Sequence, residues 1–194
     1  MVAKSEIEKL KKEISKLKKI TQKDPLTGLY NRRGFLEEAE KFIKMAQRMK
    51  QRTAAGSDDL FGNIGLIFVD LDNFKQINDR YGHNAGDQVL KKISSVLENS
   101  LRKFDIIGRW GGDEFVILVW GIDKTIILEI TNRLKEKIGE LTFLFKKQPN
   151  KITASLGAKI LLNEEKLELE KEIEKSDKAM YQAKKKGKDT IVIL

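Results

Sequence analysis

The chain has 194 residues, with 38 Lys and Arg against 29 Asp and Glu, a single His and no Cys, for a formal charge of +9. The length suits one globular domain with an appendage, and the 40% hydrophobic share is enough for a core. The lack of Cys excludes a disulfide scaffold, a thiolate zinc site, an iron–sulfur cluster and a Cys nucleophile, and one His excludes a multi-histidine metal site.

Residues 1–23 hold eight Lys and three Glu, a net of +5. Within them SEIEKLKKEISKLKKI at 5–20 sets Ile7, Leu10, Ile14 and Leu17 at alternating spacings of three and four, an a/d seam. It reads equally as a solvated helical extension or as a dimer-forming stalk. Asp24-Pro25 ends it, because the residue before a proline is pushed out of the helical region. Phe35, Leu36, Ala39, Phe42, Ile43, Ala46 and Met49 then form a helical stripe, and RTAAGSDDLFGN at 52–63 is a loop by composition. IGLIFV at 64–69 is a continuous apolar run too short for a helix and predicts a buried strand. Val89, Leu90, Ile93, Val96, Leu97 and Leu101 mark the next helix. Short strands follow near 105–110 and 115–120, separated by Gly111-Gly112-Asp113-Glu114. Ile126, Ile127, Ile130, Leu134 and Ile138 mark a further helix, and 152–160 alternates as a strand with one buried face. The last helix runs past Leu169, Ile173, Met180 and Tyr181, and Thr190–Leu194 closes as a strand. Residues 171–188 hold seven Lys against three acids, so with the first segment they account for the whole +9. A neutral body argues against a nucleic-acid surface. No apolar run reaches a membrane span and no signal core follows the first lysines, so the chain is expected to be cytoplasmic with no membrane segment.

The central βαββαβ order predicts an α+β, ferredoxin-like sheet with helices packed on it. There the first strand lies antiparallel beside the third, bringing Asp70 at the end of one to Asp113 and Glu114 at the start of the other. Gly111-Gly112 suits a tight turn at positive φ. Carboxylates gathered this closely repel unless cations sit among them, and oxygen-only ligands suit Mg²⁺ or Mn²⁺. Such a site points to nucleotide phosphates, where two metals can lower the barrier for an oxygen nucleophile attacking phosphorus.

Residues 111–115 read GGDEF, the pentapeptide that names the diguanylate cyclase domain family, and the chain resembles that family well beyond it. The matching blocks are DPLTGLYNRRGF at 24–35, DLDNFKQINDRYGHNAGD at 70–87, RKFDIIGRWGGDEF at 102–115 and SDKAMYQAKKKGKD at 176–189. They place the domain at 24–194, with 1–23 as a helical or coiled-coil stalk. The resemblance implies a homodimer in which each subunit holds one GTP and each 3′-hydroxyl attacks the α-phosphate of the other GTP. The products are cyclic di-GMP and two pyrophosphates. Carried over by residue, Asp70, the Leu71 backbone carbonyl, Asp113 and Glu114 would bind metal, and Asp113 or Glu114 would accept the proton. Asn78 and Asp87 match guanine-binding positions; a carboxylate accepts two hydrogen bonds from the guanine edge, which adenine cannot offer. His83 matches a position near the substrate, or is a structural histidine in the turn before the following helix.

Lys75, Lys184 and Lys188 match cationic positions around the triphosphate. The family's usual Gly-Arg-Asn is here Gly187-Lys188-Asp189, and Lys lacks the bidentate fork of Arg. Arg102 and Asp105 match an RxxD site at which product binds as an inhibitor, with Arg48 or Arg52 as candidates for a second arginine. The reading is thus a metal-dependent, dimeric, product-inhibited diguanylate cyclase. The alternatives are a silent nucleotide receptor and an interaction module whose stalk is the working part. An upstream sensor or partner acting through the stalk is also implied, its signal not encoded in these residues.

Overall fold

The structure, a computed structural model, describes residues 22–52, 63–161 and 167–194. The seam at 5–20 and most of the loop at 52–63 lie outside the described residues. In chain order the elements are β1 (Tyr30–Asn31), α1 (Arg32–Arg52), β2 (Ile64–Leu71), α2 (Phe74–Tyr81), α3 (His83–Ser100), β3 (Ile106–Arg109) and β4 (Glu114–Trp120). These are followed by α4 (Lys124–Glu140), β5 (Thr142–Phe145), β6 (Gln148–Lys151), β7 (Ala154–Leu161), α5 (Leu169–Lys185) and β8 (Ile191–Ile193).

Six strands form one sheet in the order β1-β3-β4-β2-β7-β8. Its inner four are the ferredoxin-like arrangement expected from the βαββαβ order. β2 lies between β4 and β7 and is antiparallel to both. All eight of its residues are buried. The continuous apolar run is explained by helices on both faces: α1 and α5 cover one through Phe35, Phe42, Ile173 and Met180, and α3 and α4 cover the other through Val89, Ile93, Leu97, Ile127 and Leu134. Caps set where these helices begin. Asn31 accepts a hydrogen bond from the Gly34 amide at the start of α1, and Asp123 accepts one from the Ile126 amide at the start of α4.

The structure adds elements that periodicity did not separate. α2 is a helix of its own, parted from α3 by Gly82 at φ 83°. β5 and β6 form a separate two-stranded hairpin. It escaped notice because its two turn residues are Lys146 and Lys147 rather than the Asn-Gly or Asp-Gly that marks such turns.

α5 lies close against β7 because the facing residues are small. Ser176, Ala179 and Ala183 are fully buried, and a Cβ built on Gly157 would run into the α5 backbone at Ser176 and Met180. This close approach brings the end of α5 to the end of β2. Gly157→Ala is therefore expected to cost about 1–3 kcal/mol by overpacking, lowering Tm by about 3–10 °C in thermal unfolding. An unchanged Tm would show that α5 can draw back from β7 freely.

Candidate active site

The register β2–β4 sets Asp70 directly opposite Glu114. The Leu71 amide donates to the Asp113 carbonyl at 3.2 Å, so the turn before β4 is tied to the end of β2. Asp70, 5% exposed, and Leu71 are buried; Asp113 and Glu114 are half-buried. The turn corrects one expectation. Neither Gly111 nor Gly112 adopts positive φ. A Cβ on Gly111 would overlap the Glu114 carboxylate, the far end of a flexible side chain that can swing aside, so glycine there leaves room for Glu114 in its present position rather than being demanded by packing. At Gly112 a Cβ would meet nothing within 4 Å, so packing does not require glycine there.

Two neighbours from α5 complete the edge. The Lys184 ammonium lies 2.6 Å from Asp70 Oδ1, and Asp177 bears on Glu114 electrostatically. Burial pushes the Asp70 pKa up to about 6; the Lys184 hydrogen bond and charge pull it down, and Asp113 and Glu114 push it up again. Glu114 is also raised, first by burial and then by Asp113 and Asp177, against the pull of Lys184. Among the described residues no three such side chains already converge as a metal cage. The donors nonetheless suit a hard divalent cation, because they are all oxygens.

Asp72, two residues beyond Asp70, serves a different purpose. It is 3% exposed and accepts from Thr153 Oγ1 at 2.7 Å, Ser155 Oγ at 2.8 Å and the Asp189 amide at 3.0 Å. It thereby joins the ends of β2 and β7 to the turn before β8. In that turn Gly187, Lys188 and Asp189 have φ of 114°, 68° and 44°. The turn sends Lys188 Nζ to within 2.6 Å of Asn73 Oδ1, next to the start of α2. Lys75 is exposed on α2 itself.

Arg109 was not singled out in the sequence. Its Nε and Nη2 donate to the Gly112 carbonyl at 3.2 and 2.8 Å, and its Nη1 reaches both Asp24 oxygens at 3.2 Å. Asp24 also accepts from the Thr27 amide and hydroxyl, which close the turn after Pro25. Burial raises the Asp24 pKa, but the Thr27 hydrogen bonds and Arg109 outweigh it and hold it below 3.8. Arg109 therefore straps the segment before β1 to the turn before β4.

The remaining expected residues fall into two groups. Asn78 and Asp87 face the α2–α3 junction: Asn78 Oδ1 occupies the space a Cβ on Gly86 would need, next to half-buried Asp87. His83 is the exposed first residue of α3. Arg102 and Asp105 sit before β3, whose Ile106 pairs with Leu118. That is four residues along β4 from Glu114, about 13 Å at strand spacing. The Asp105 carboxylate turns inward to accept from the Arg102 amide at 2.8 Å, and burial raises its pKa against the pull of Arg102 and Arg133. Arg102 remains exposed, its guanidinium 5.7 Å from the centroid of the exposed Phe104 ring. Arg133 from α4 is thus the nearby arginine the sequence did not reveal. Arg48 lies exposed on α1, and nothing is described of the Arg52 side chain.

A family model described as "Diguanylate cyclase, GGDEF domain" matches residues 21–190. The chain belongs to the GGDEF domain family. Diguanylate cyclase DgcP of Pseudomonas aeruginosa is 38% identical over 170 residues, covering 88% of this chain and 23% of that protein. Diguanylate cyclase DgcS of Shewanella oneidensis is 35% identical over 167 residues, covering 86% and 50%. The chain thus spans half or less of the length of these curated relatives. Among solved structures, diguanylate cyclase SiaD in complex with its activator SiaC, from Pseudomonas aeruginosa, superposes with a TM-score of 0.80 at 29% identity, covering 100% of this chain and 69% of that one.

Within this GGDEF domain the Asp24–Arg109 pair makes a pH-dependent contribution. Because the folded pKa of Asp24 is depressed, its stabilisation is present above pH 3.8 and is lost as pH falls through the lower folded value. In Arg109→Ala the Asp24 carboxyl, followed by NMR titration, is expected to titrate at higher pH than in the parent. The Tm difference between the two should shrink toward low pH. An unmoved Asp24 titration would show that Arg109 has no hold on it.

Proposed function

We propose that the chain is a diguanylate cyclase that condenses two GTP into cyclic di-GMP with release of two pyrophosphates. Residues 24–194 are the catalytic domain and 1–23 the stalk. The observation that carries this reading is the sheet edge that sets Asp70 opposite Glu114, ties the Asp113 backbone to the end of β2 and brings Lys184 to Asp70. Family membership and relatives named diguanylate cyclase support it. Asp70, the Leu71 carbonyl, Asp113 and Glu114 would hold Mg²⁺ or Mn²⁺, two per site. Such ions supply positive charge to the phosphoryl group as it is transferred.

The chain's own residues do the rest. Lys184 and Lys188 approach the edge from α5 and from the turn after it, and with Lys75 they neutralise the triphosphate. The open space over Gly112 leaves room for phosphate against the backbone. Asp87 and Asn78 read the guanine edge, and His83 stands at the rim of that site. The 3′-oxygen of one GTP bonds to the α-phosphorus of the other, the bond to the bridging oxygen of pyrophosphate breaks, and the hydroxyl proton goes to Asp113 or Glu114. One subunit supplies half of this arrangement, so two copies meet in a C2 dimer. Product returning to Arg102 and Asp105, with Arg133 beside them, inhibits the enzyme.

Incubation with GTP and Mg²⁺ or Mn²⁺, followed by mass analysis, is expected to give cyclic di-GMP and pyrophosphate. Absence of product in both metals would overturn the reading, and product binding without turnover would favour the silent receptor. Asp113→Asn should slow turnover at least about hundredfold, as expected for loss of a metal ligand or base; near-parental activity rejects that role. Arg102→Ala should raise the inhibitory product concentration by about tenfold or more, for loss of a charge-assisted contact. An unshifted inhibition curve would remove Arg102 from the inhibitory site.

A further inference from the structure

α2 has two sides. Lys75 and Asn78 stand on one, while Asn73, Gln76, Ile77 and Arg80 recur at helical spacing on the other. The second side forms one wall of a cleft of about 330 Å³, closed on the far side by Asn150 and Lys151 of β6 and by Ile152 just after it.

The surroundings of this cleft hold more cationic than anionic groups. Residues 141–151, LTFLFKKQPNK, contain three Lys and no acid. Arg80, Lys146, Lys147 and Lys151 make no ion pair with a described residue. Lys146 and Lys147 occupy the hairpin turn at φ 51° and 63°, where Gly or Asn would be unstrained. The Arg80 guanidinium donates to Gln148 Oε1 at 3.1 Å and lies 5.1 Å from the centroid of the Tyr81 ring, with the Lys146 ammonium 6.0 Å from the same ring. The Tyr81 hydroxyl is shut off from solvent and has no hydrogen-bond partner among the described residues. Asp72 also borders the cleft, but its carboxylate already accepts the three hydrogen bonds described above. Arg80 and Lys151 exceed its charge, and the two turn lysines add to the excess.

We propose that this cleft is a second anion site, separate from the β2–β4 edge, that takes a small organic phosphate. Its phosphate group lies between Arg80 and Lys151, with the amides of Asn73, Gln76 and Asn150 as further donors. Its carbon skeleton rests on Ile77, Ile152 and the Tyr81 ring. Cations, amides and an apolar floor in a cleft at the small end of ligand-site volumes fit that class better than a bare surface contact would.

The test is a binding titration of the full metal-free chain, followed residue by residue by amide NMR, with ribose 5-phosphate and inorganic phosphate as probes. Saturable shifts are expected at Asn73, Gln76, Arg80 and Lys151. Arg80→Ala or Lys151→Ala should each weaken binding about tenfold, the effect of losing one charge-assisted hydrogen bond. Lys184→Ala should leave binding intact. Lys151→Glu, on an exposed strand end, keeps the test open if Arg80→Ala loosens the hairpin. Equal binding of both probes supports the site with free phosphate as its ligand, and tighter ribose 5-phosphate supports the organic ligand. Shifts that never saturate, shifts that survive both substitutions but vanish in Lys184→Ala, or binding of polyglutamate alone would each overturn the proposal. No outcome depends on turnover, so failure here and failure of the cyclase reading are separable.

Discussion

Negative charge gathered at the end of one buried strand is the constraint around which the rest of the structure is organised. β2 has both faces covered, so its last carboxylate, Asp70, is held out of water opposite Glu114. Burial and like charge raise its pKa to about 6, a cost that an ordinary surface aspartate does not carry. The fold answers with a cation from a different element. Lys184 reaches Asp70 only because α5 lies close on β7, and that closeness depends on Gly157 and a row of small residues. A packing detail in the sheet is thus a condition for electrostatics at its edge.

The same edge shows how positioning is divided among residues of like chemistry. Asp70 stands opposite Glu114 and beside Lys184, whereas Asp72, two residues on, is saturated with hydrogen bonds and holds the turn at 187–189. In that turn the family's Arg-Asn pair is replaced by Lys188-Asp189 at positive φ, a conformation Asn adopts more readily than most residues. The Asp189 amide bonded to Asp72 helps keep this less favourable pair in place, and Lys188 is aimed at the start of α2.

Much of this was legible in the sequence because it follows from period and order. The buried run at 64–69, the βαββαβ succession and the antiparallel neighbours are together enough to bring Asp70 to Glu114. What escaped was carried by single residues acting across the fold. Arg109 bonds to Asp24 over 85 positions, and Arg133 approaches Asp105 from another helix. No local pattern encodes such distances. Asp177 was within reach, since it stands two helical turns before Lys184 on α5. The Lys-Lys turn hid a hairpin because its sequence contradicts its backbone. Gly111 does not adopt the positive φ its turn suggested, and its missing side chain leaves room for the Glu114 carboxylate.

The outermost strands of the sheet have a consequence for how copies of the chain can meet. β1 has two residues and β8 three, and each is paired in parallel on its inner side. Stubs this short offer almost no ladder of free amides and carbonyls for another chain to extend. Two copies of this sheet therefore cannot fuse into one continuous sheet through those edges. A pairing of two copies at those two edges would be led by side chains and helix faces, which can slide and reorient in a way that a hydrogen-bonded strand register cannot.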